Sequence, residues 1–353
     1  MRTLPRPSPP VLGPRRLNRA LLARQLLLER SSLPIPRALE AVAGIQNQYA
    51  PSAYIRLWSC LEGFRRDDLT RAYEAGSVVQ GTLMRGTIHA VSARDHGPFT
   101  AAITEPIRAW ARRAYRGDDF GRDELVDRVR TSLRGRTMRP AELQELRGKA
   151  PDATWATLHL DAGLLRIPPS GTWARRRADI YGLADDVITA DDGPAAESPL
   201  AHLMRRYLGG FGPASVRDIG LFAGVPITLL KPVVEGMELR TFRDEAGGTL
   251  VDIPGGALPD PDTPAPVRFL PTWDAALLVH ARRTLVLPER YRPLIFHTRM
   301  PPSYPTFLVD GQVAGTWKYV DGRVTTTPFE ALPPDVSAAV DAEAERLAAF
   351  HSD

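Results

Sequence analysis

Cysteine is all but missing from this 353-residue chain, with Cys60 the only one. That excludes an internal disulfide and any cysteine-based zinc site. Long apolar runs are missing too. The longest, Leu21 to Leu28, is interrupted by Arg24 and Gln25, so nothing in the sequence approaches a membrane span. The amino end, Met1 to Arg16, holds five prolines and no apolar core. It reads as a disordered tail, neither a signal peptide nor a transit helix, and the chain is most simply cytoplasmic. The seven histidines show no metal-ligand spacing. Asp185-Asp186 and Asp191-Asp192 read as acidic loops, and Gly209-Gly210-Phe211-Gly212-Pro213 as a helix stop with no phosphate-loop Lys-Ser/Thr behind it. No metal and no cofactor is expected, and no Ser-His-Asp pattern stands out.

Lysine is scarce as well. Only Lys149, Lys231 and Lys318 occur among 45 Lys and Arg residues, so the net charge of +4 is carried by arginine. A GC-rich codon bias accounts for that composition, as it does for the many Ala, Pro and Gly residues. Arginine forks nonetheless pair well with phosphates. Runs such as Arg112-Arg113, Arg175-Arg176-Arg177 and Arg205-Arg206 are either solvated faces or parts of a nucleic-acid surface. The length implies two or three packed units, and 43% hydrophobic residues is ordinary for a folded protein.

What is present is one pattern repeated three times: three helices, then two short strands joined by a turn. In the third copy Leu200, Leu203, Met204, Tyr207 and Leu208 recur at helical spacing. Ser215 caps a second helix that ends at Gly224, and Pro226 opens a third. Leu239 to Phe242 and Thr249 to Ile253 flank Gly247-Gly248 as a hairpin. The middle copy has helices around Leu125 to Leu133, from Met138-Arg139-Pro140 to Gly148, and from Ala153 to Ala162. Its strands are expected at Leu164 to Ile167 and Thr172 to Ala174, around Pro169-Ser170-Gly171. The first copy opens with Asn18 as a helix cap, continues with a helix from Pro36 to about Ile45, and caps a third helix at Asp67 or Asp68. Val78-Val79 and Thr87 to Val91 supply its strands.

Three helices and a hairpin describe a winged helix. The expected architecture is α+β: three tandem winged-helix units followed by a small C-terminal β-barrel-like unit. The divisions are a tail at 1–16, units at 17–118, 119–195 and 196–256, and a β-rich part with a final helix at 257–353. Strands are expected in that last part at Val267 to Leu270, Leu285 to Leu287, Thr306 to Val309 and Val313 to Trp317. Asp310-Gly311 is the hairpin turn, and Ser337 to Phe350 the closing helix. Winged helices bind DNA in many proteins and serve as protein-interaction modules in others, so fold alone does not fix function.

Gln46-Asn47-Gln48 follows the second helix of the first copy. In an extended backbone the two glutamines share a face; in a helix they would point about 200° apart. Each amide offers two donors and one acceptor oxygen, so the pair can hold a water but cannot act as a strong base.

Gly44-Ile45-Gln46-Asn47-Gln48-Tyr49-Ala50-Pro51 with Leu57-Trp58, then Met84 to His89, resemble the AlkZ-like family of winged-helix DNA glycosylases. Arg206 to Ala214, Leu270 to Asp274 and Val309 to Trp317 extend the resemblance over nearly the whole chain after Arg16. The resemblance implies catalysis by Gln46 and Gln48, the outer residues of a motif whose middle position is usually apolar. Asn47 departs from that pattern, and if it points inward it needs a buried partner. The resemblance also implies DNA contacts near Asn47, Arg56, Arg85, His89, Asp310, Gly311, Gln312 and Trp317. His89 is either such a contact or a packed structural histidine. The Asp310-Gly311 hairpin either probes a groove or simply closes the barrel. The implied partner is double-stranded DNA carrying alkylated guanine, acted on by a monomer. The implied activity is hydrolysis of the N-glycosidic bond of N7-alkylguanine, as bulky adducts or interstrand crosslinks, for repair or antibiotic self-resistance. The alternatives are a non-enzymatic winged-helix regulator and a protein-interaction scaffold.

Overall fold

The computed structural model describes residues 8–116, 120–189, 197–278, 283–296 and 303–352. The first seven residues of the expected tail, the acidic pair Asp191-Asp192 and the unit boundaries at 118–119 and 195–196 lie outside them. From residue 8 the expected tail gives way to structure. β1 (Val11–Leu12) pairs in parallel with a strand of the third repeat, Val11 against Arg243 and Leu12 against Asp244. α1 (Pro14–Arg24) then starts on Pro14, whose fixed φ suits the first helical turn. Asn18 therefore lies inside α1 and does not cap it.

The chain continues through α2 (Ile35–Ala41), β2 (Ile45–Gln46), α3 (Pro51–Cys60), α4 (Arg66–Glu74), β3 (Val78–Thr82), β4 (Ile88–Ser92) and α5 (Ala93–Ala114). α2 stops short of the expected Ile45 because Ala43 and Gly44 take positive φ, 62° and 79°. Asp68 accepts from the backbone N–H of Arg65 at 2.9 Å and so fixes the start of α4. α5 has no counterpart in the sequence pattern. Pro98 and Pro106 lie inside it, and each removes a helical N–H.

α6 (Arg122–Leu133), α7 (Pro140–Arg147) and α8 (Asp152–Asp161) follow as the spacing predicts, then β5 (Leu164–Arg166). The partner of β5 is β6 (Tyr181–Leu183), not Thr172 to Ala174. Ser170 Oγ instead accepts the backbone N–H groups of Asp179 and Ile180, closing residues 170–180 into a turn. Asp185 and Asp186 lie in the first turn of the short α9 (Ala184–Val187), where carboxylates suit the helix dipole. The third repeat forms as expected: α10 (Pro199–Phe211), α11 (Val216–Ala223), α12 (Ile227–Gly236), β7 (Arg240–Asp244) and β8 (Thr249–Asp252). Ser215 and Asp218 form a capping box for α11, and Gly224 ends it at φ 74°.

The C-terminal part holds β9 (Arg268–Leu270), α13 (Ala275–Leu278), α14 (Arg292–Ile295), β10 (Thr306–Val309), β11 (Gln312–Val320), β12 (Arg323–Pro328) and α15 (Pro334–Ser352). The strand expected at Leu285 to Leu287 does not form; residues 283–285 make a turn of 3-10 helix and no strand follows it. The sheet order is β12-β11-β10-β9, so among the described residues this is an open four-stranded sheet and not a closed barrel.

Among the described residues the architecture is α+β with three sheets. The strands of the first two repeats do not stand as separate wings. They join in one sheet, β2-β4-β3-β5-β6, through the pairing of Gly81 with Leu165. Alternate residues of β3 and β4 feed two cores, as strand alternation requires. Val79 and Val91 pack with Leu21, Phe99, Tyr207 and Phe222. Val78, Ala90 and Ile45 pack with Tyr54, Leu57, Phe269, Phe307 and Leu347.

Candidate active site

The positions of Gln46, Asn47 and Gln48 follow from the turn before them. At Gly44 a Cβ would sit 2.8 Å from Val91 Cγ1, so only glycine brings the chain this close to β4. Ile45 then pairs with Ala90 and Gln46 with His89, and the Asn47 N–H donates to Ile88 O at 2.7 Å. The backbone is extended, and the two glutamines share a face. Gln46 Nε2 donates to Gln48 Oε1 at 2.8 Å. Gln46 is buried and Gln48 is exposed.

Arg85 holds this pair from the other side. Its own φ is 57°, in the turn between β3 and β4. Its guanidinium donates to Gln46 Oε1 at 2.7 Å and also to the Phe222 carbonyl at the end of α11. Arginine can only donate. The Gln46 atom facing it must therefore be the carbonyl oxygen, which turns Nε2 toward Gln48 and makes the receiving atom of Gln48 its oxygen. One cation thus sets the orientation of both amides. Gly224 permits the approach, since a Cβ there would lie 3.2 Å from Arg85 Cα. No carboxylate pairs with Arg85 among the described residues, and burial lowers its pKa to about 10.

Asn47 points the opposite way and is wholly buried. Its amide meets that of Gln80 at 2.8 Å. Turning both amides gives Asn47 Nδ2 two carbonyl partners, Tyr49 at 3.1 Å and Ala50 at 3.2 Å, and lets Gln80 donate to Asn47 Oδ1. That arrangement also occupies Gln80 Nε2, which otherwise has no partner. The buried partner that a polar middle residue requires is therefore present, on a neighbouring strand. Gly171 lies against the Gln80 amide, where a Cβ would come within 3.0 Å of it.

His89, Arg56 and Trp317 are interior side chains. His89 is 2% exposed, and its Nδ1 lies 3.0 Å from Thr87 O. Burial, and then the neighbouring Arg85 charge, lower its pKa to about 3, so the ring is neutral in ordinary buffers. Arg56 is ion-paired to Asp274 at 3.0 Å and donates to Gln25. The Trp317 indole donates to Leu270 O at 3.0 Å, inside the second core. These three reach no surface at which DNA could touch them directly.

The Asp310-Gly311 turn forms as expected, with φ 46° and 79°, but its tip is docked and not free. Asn18 donates to Gly311 O at 2.8 Å, and Arg15 pairs with Asp310 at 2.8 Å. Arg19 bonds the Asp310 carboxylate too. Gln312 is exposed beside it, on a cavity of about 260 Å³ shared with Arg15 and Arg19. The hairpin tip that stands clear is Asp321-Gly322, φ 50° and 77°, between β11 and β12.

Sequence reasoning passed over two groups next to Gln48. Arg166 Nη1 donates to Asn47 O at 3.3 Å. Arg176 donates to the hydroxyl of exposed Tyr49 at 2.8 Å and lies over the Trp173 ring. The arginine run 175–177 was the available signal, but nothing local says that it folds back on Tyr49. Among the described residues no His, Cys, Asp and Glu cluster could hold a metal ion. No helix among them is long and apolar enough to cross a membrane.

Chemically, the site offers one exposed amide in a fixed orientation, a second amide behind it, and a cation behind both. The pair itself contains no strong acid or base. The family model described as "DNA glycosylase AlkZ-like" matches residues 39–350 of the chain. The solved structure of Streptomyces sahachiroi DNA glycosylase AlkZ is similar, with a TM-score of 0.80 and 21% sequence identity over 97% of both chains. That likeness is one of fold. No curated protein matches.

Proposed function

This chain belongs to the AlkZ-like DNA glycosylase family, and from that premise we propose that it hydrolyses the N-glycosidic bond of N7-alkylated guanine in duplex DNA. Gln46 and Gln48 are the acting pair. The observation that carries the reading is their geometry: both amides on one face, 2.8 Å apart, with Gln48 open to solvent.

Alkylation at N7 leaves guanine positively charged. The bond from N9 to the sugar C1′ then breaks with its electron pair going to the base, which departs neutral. No general acid is needed for that step. The sugar becomes oxocarbenium-like, and water adds to C1′ and releases a proton to solvent. Gln48 Oε1 has two lone pairs, one taken by Gln46. The other accepts a hydrogen from the attacking water and aims its oxygen at C1′. The carbonyl dipole also places partial negative charge near the developing cation. A neutral, undamaged base lacks the charge that makes it leave, so selectivity follows from the chemistry of the lesion.

The enzyme is read as monofunctional. A strand-cleaving mechanism needs an amine nucleophile, and among the described residues the side-chain hydrogen bonds of Gln46 and Gln48 run to each other and to Arg85. The three repeats are read as tandem winged helices. In the third, α12 buries only Leu230 and leaves its outer face free, as a groove-reading helix requires. In the second, α8 buries five of its residues and is a packing helix. Bulky adducts or crosslinks as substrates, for self-resistance or repair, and action as a monomer belong to the same reading.

The test is incubation with duplex containing N7-methylguanine or an N7-crosslink. Abasic sites that form with wild type and not with the Gln46→Ala/Gln48→Ala protein support it. Salt-dependent binding of undamaged DNA with no excision supports a regulator instead.

A further inference from the structure

Three guanidinium groups converge on the segment from Gln46 to Tyr49. Arg85 donates to Gln46 Oε1 at 2.7 Å, Arg166 to Asn47 O at 3.3 Å, and Arg176 to the Tyr49 hydroxyl at 2.8 Å. Among the described residues none of the three has a carboxylate partner. Buried arginines elsewhere are compensated, as Arg24 is by Asp252 and Arg56 by Asp274. The contrast holds even between neighbours. Arg175 pairs with Asp179 at 2.7 Å, while Arg176 beside it is exposed and lies over two rings, Tyr49 at 5.7 Å and Trp173 at 5.6 Å. Arg66 lies over the same Trp173 ring at 5.0 Å, so that one indole holds two cations. A guanidinium braced by a hydroxyl and two aromatic rings is preorganised, with its charge still unspent.

That arrangement opposes the reaction unless an anion arrives. Bond breaking develops positive charge at the sugar C1′, and uncompensated cations nearby disfavour it. The glutamine pair supplies dipoles and no negative charge. The anions that the substrate itself brings closest to C1′ are the two phosphates flanking the lesion nucleotide. A guanidinium takes a phosphate through two parallel N–H groups, which fixes its orientation as well as its place. Arg85 and Arg166 are held on carbonyls of the motif. Arg176 has the exposure to meet a phosphate, and Tyr49, the residue after Gln48, sets where it stands.

We propose that Arg176, braced by Tyr49 and Trp173, seats one backbone phosphate flanking the lesion and holds it beside the sugar, so that the DNA strand supplies the negative charge the amide pair lacks. The seated phosphate cancels the arginine charge and lies against the cation that forms at C1′. Arg176 is a positioning residue: it acts through the phosphate and not on the reacting bond. The proposal rests on the N7-alkylguanine reading above and adds a second part of the substrate to its chemistry.

The test removes the two charges separately and together. Duplexes with one N7-methylguanine carry a neutral methylphosphonate at the 5′ phosphate of the lesion, at its 3′ phosphate, or across from it on the other strand. Single-turnover excision at saturating protein and binding by fluorescence anisotropy are measured for wild type, Arg176→Gln and Arg176→Lys. Expected is a loss of about tenfold in the wild-type rate at one flanking position, the scale of one charge-assisted contact. Arg176→Gln loses about as much on the unmodified duplex and no more on that methylphosphonate duplex, and Arg176→Lys recovers part of the rate. Losses that multiply, coupling only to the opposite strand, or an unchanged rate for Arg176→Gln overturn the proposal. So does a loss confined to affinity, which makes Arg176 a general strand contact. If wild type excises N7-methylguanine from none of the duplexes, the N7-alkylguanine reading fails. The seat then stands only if the same coupling appears in affinity at one flanking phosphate.

Discussion

Two amide pairs lie on opposite sides of the same three residues, and they have opposite fates. Gln46 and Gln48 meet at 2.8 Å on one side, and Asn47 and Gln80 meet at 2.8 Å on the other. The chemistry is the same and so is the spacing. The first pair has a charged donor behind it and solvent in front. The second is enclosed by α3, β3 and the turn at Gly171, with backbone carbonyls as its remaining partners. A hydrogen bond between amides is therefore no sign of function. What distinguishes the pairs is whether an acceptor is left over where a substrate can reach it. On the sealed side both amides are consumed in holding the strand; on the open side Gln48 keeps a lone pair.

The largest effect expected is on the open side. Gln48→Ala should slow excision by about 10²–10³-fold, the range found when a single transition-state donor or dipole is removed. Its melting temperature should stay near that of wild type, because Gln48 is exposed. Single-turnover rates and a thermal melt on the same preparation check both halves.

The sealed side should behave in reverse. Asn47→Ala leaves the Gln80 amide buried without its partner and should cost about 1–3 kcal/mol of stability. Denaturant unfolding measures it. Excision per folded molecule should stay within a few-fold of wild type. A rate collapse with unchanged stability would mean that the middle residue belongs to the reaction, and the contrast between the two sides would dissolve.

Acid should strike the sealed interior before the open pair. His89 and His96 are both buried, with pKa lowered to about 3 and about 4, against about 6.5 in an unfolded chain. Between those limits the unfolded state binds more protons than the folded one. Stability is thus full above about pH 6.5 and falls as pH drops through 6 toward 4, by about 1.4 kcal/mol per pH unit for each histidine. Chemical denaturation across that range tests the sign. Neither glutamine titrates, so excision by the protein that remains folded should show no ionisation from the pair.

The smallest effect expected is at Arg85. Lysine keeps the charge but cannot present two donors in one plane to Gln46 Oε1 and Phe222 O. Arg85→Lys should lower the excision rate about fivefold, near 1 kcal/mol. If the rate holds, Gln48 does not depend on the fork for its orientation.

Much of this arrangement was legible in the sequence. The shared face of Gln46 and Gln48 needs only an extended backbone. The third repeat carries its own punctuation in Ser215, Gly224, Pro226 and Gly247, each of which acts within a few residues. The Asp310-Gly311 turn was readable for the same reason. Its docking was not, because Asn18 and Arg15 come from the far end of the chain. Pro98 and Pro106 hid α5, since local propensity argues against a helix that tertiary packing supports. β6 was missed because Ser170 captures two backbone donors nine and ten residues away. Arg56, His89 and Trp317 were expected near DNA by the family resemblance, with a packed role left open for His89. Their burial depends on which strands lie beside them, and a single sequence holds no local record of that.

Catalysis by the glutamine pair is tested most directly by the products formed from duplex DNA with one N7-methylguanine. Wild type should release the free methylated base and leave an unbroken strand that alkali then cleaves. Gln46→Ala/Gln48→Ala should release none above the spontaneous rate, while Asn47→Ala, assayed as folded protein, still does. Undiminished base release by the double glutamine variant would contradict the central claim.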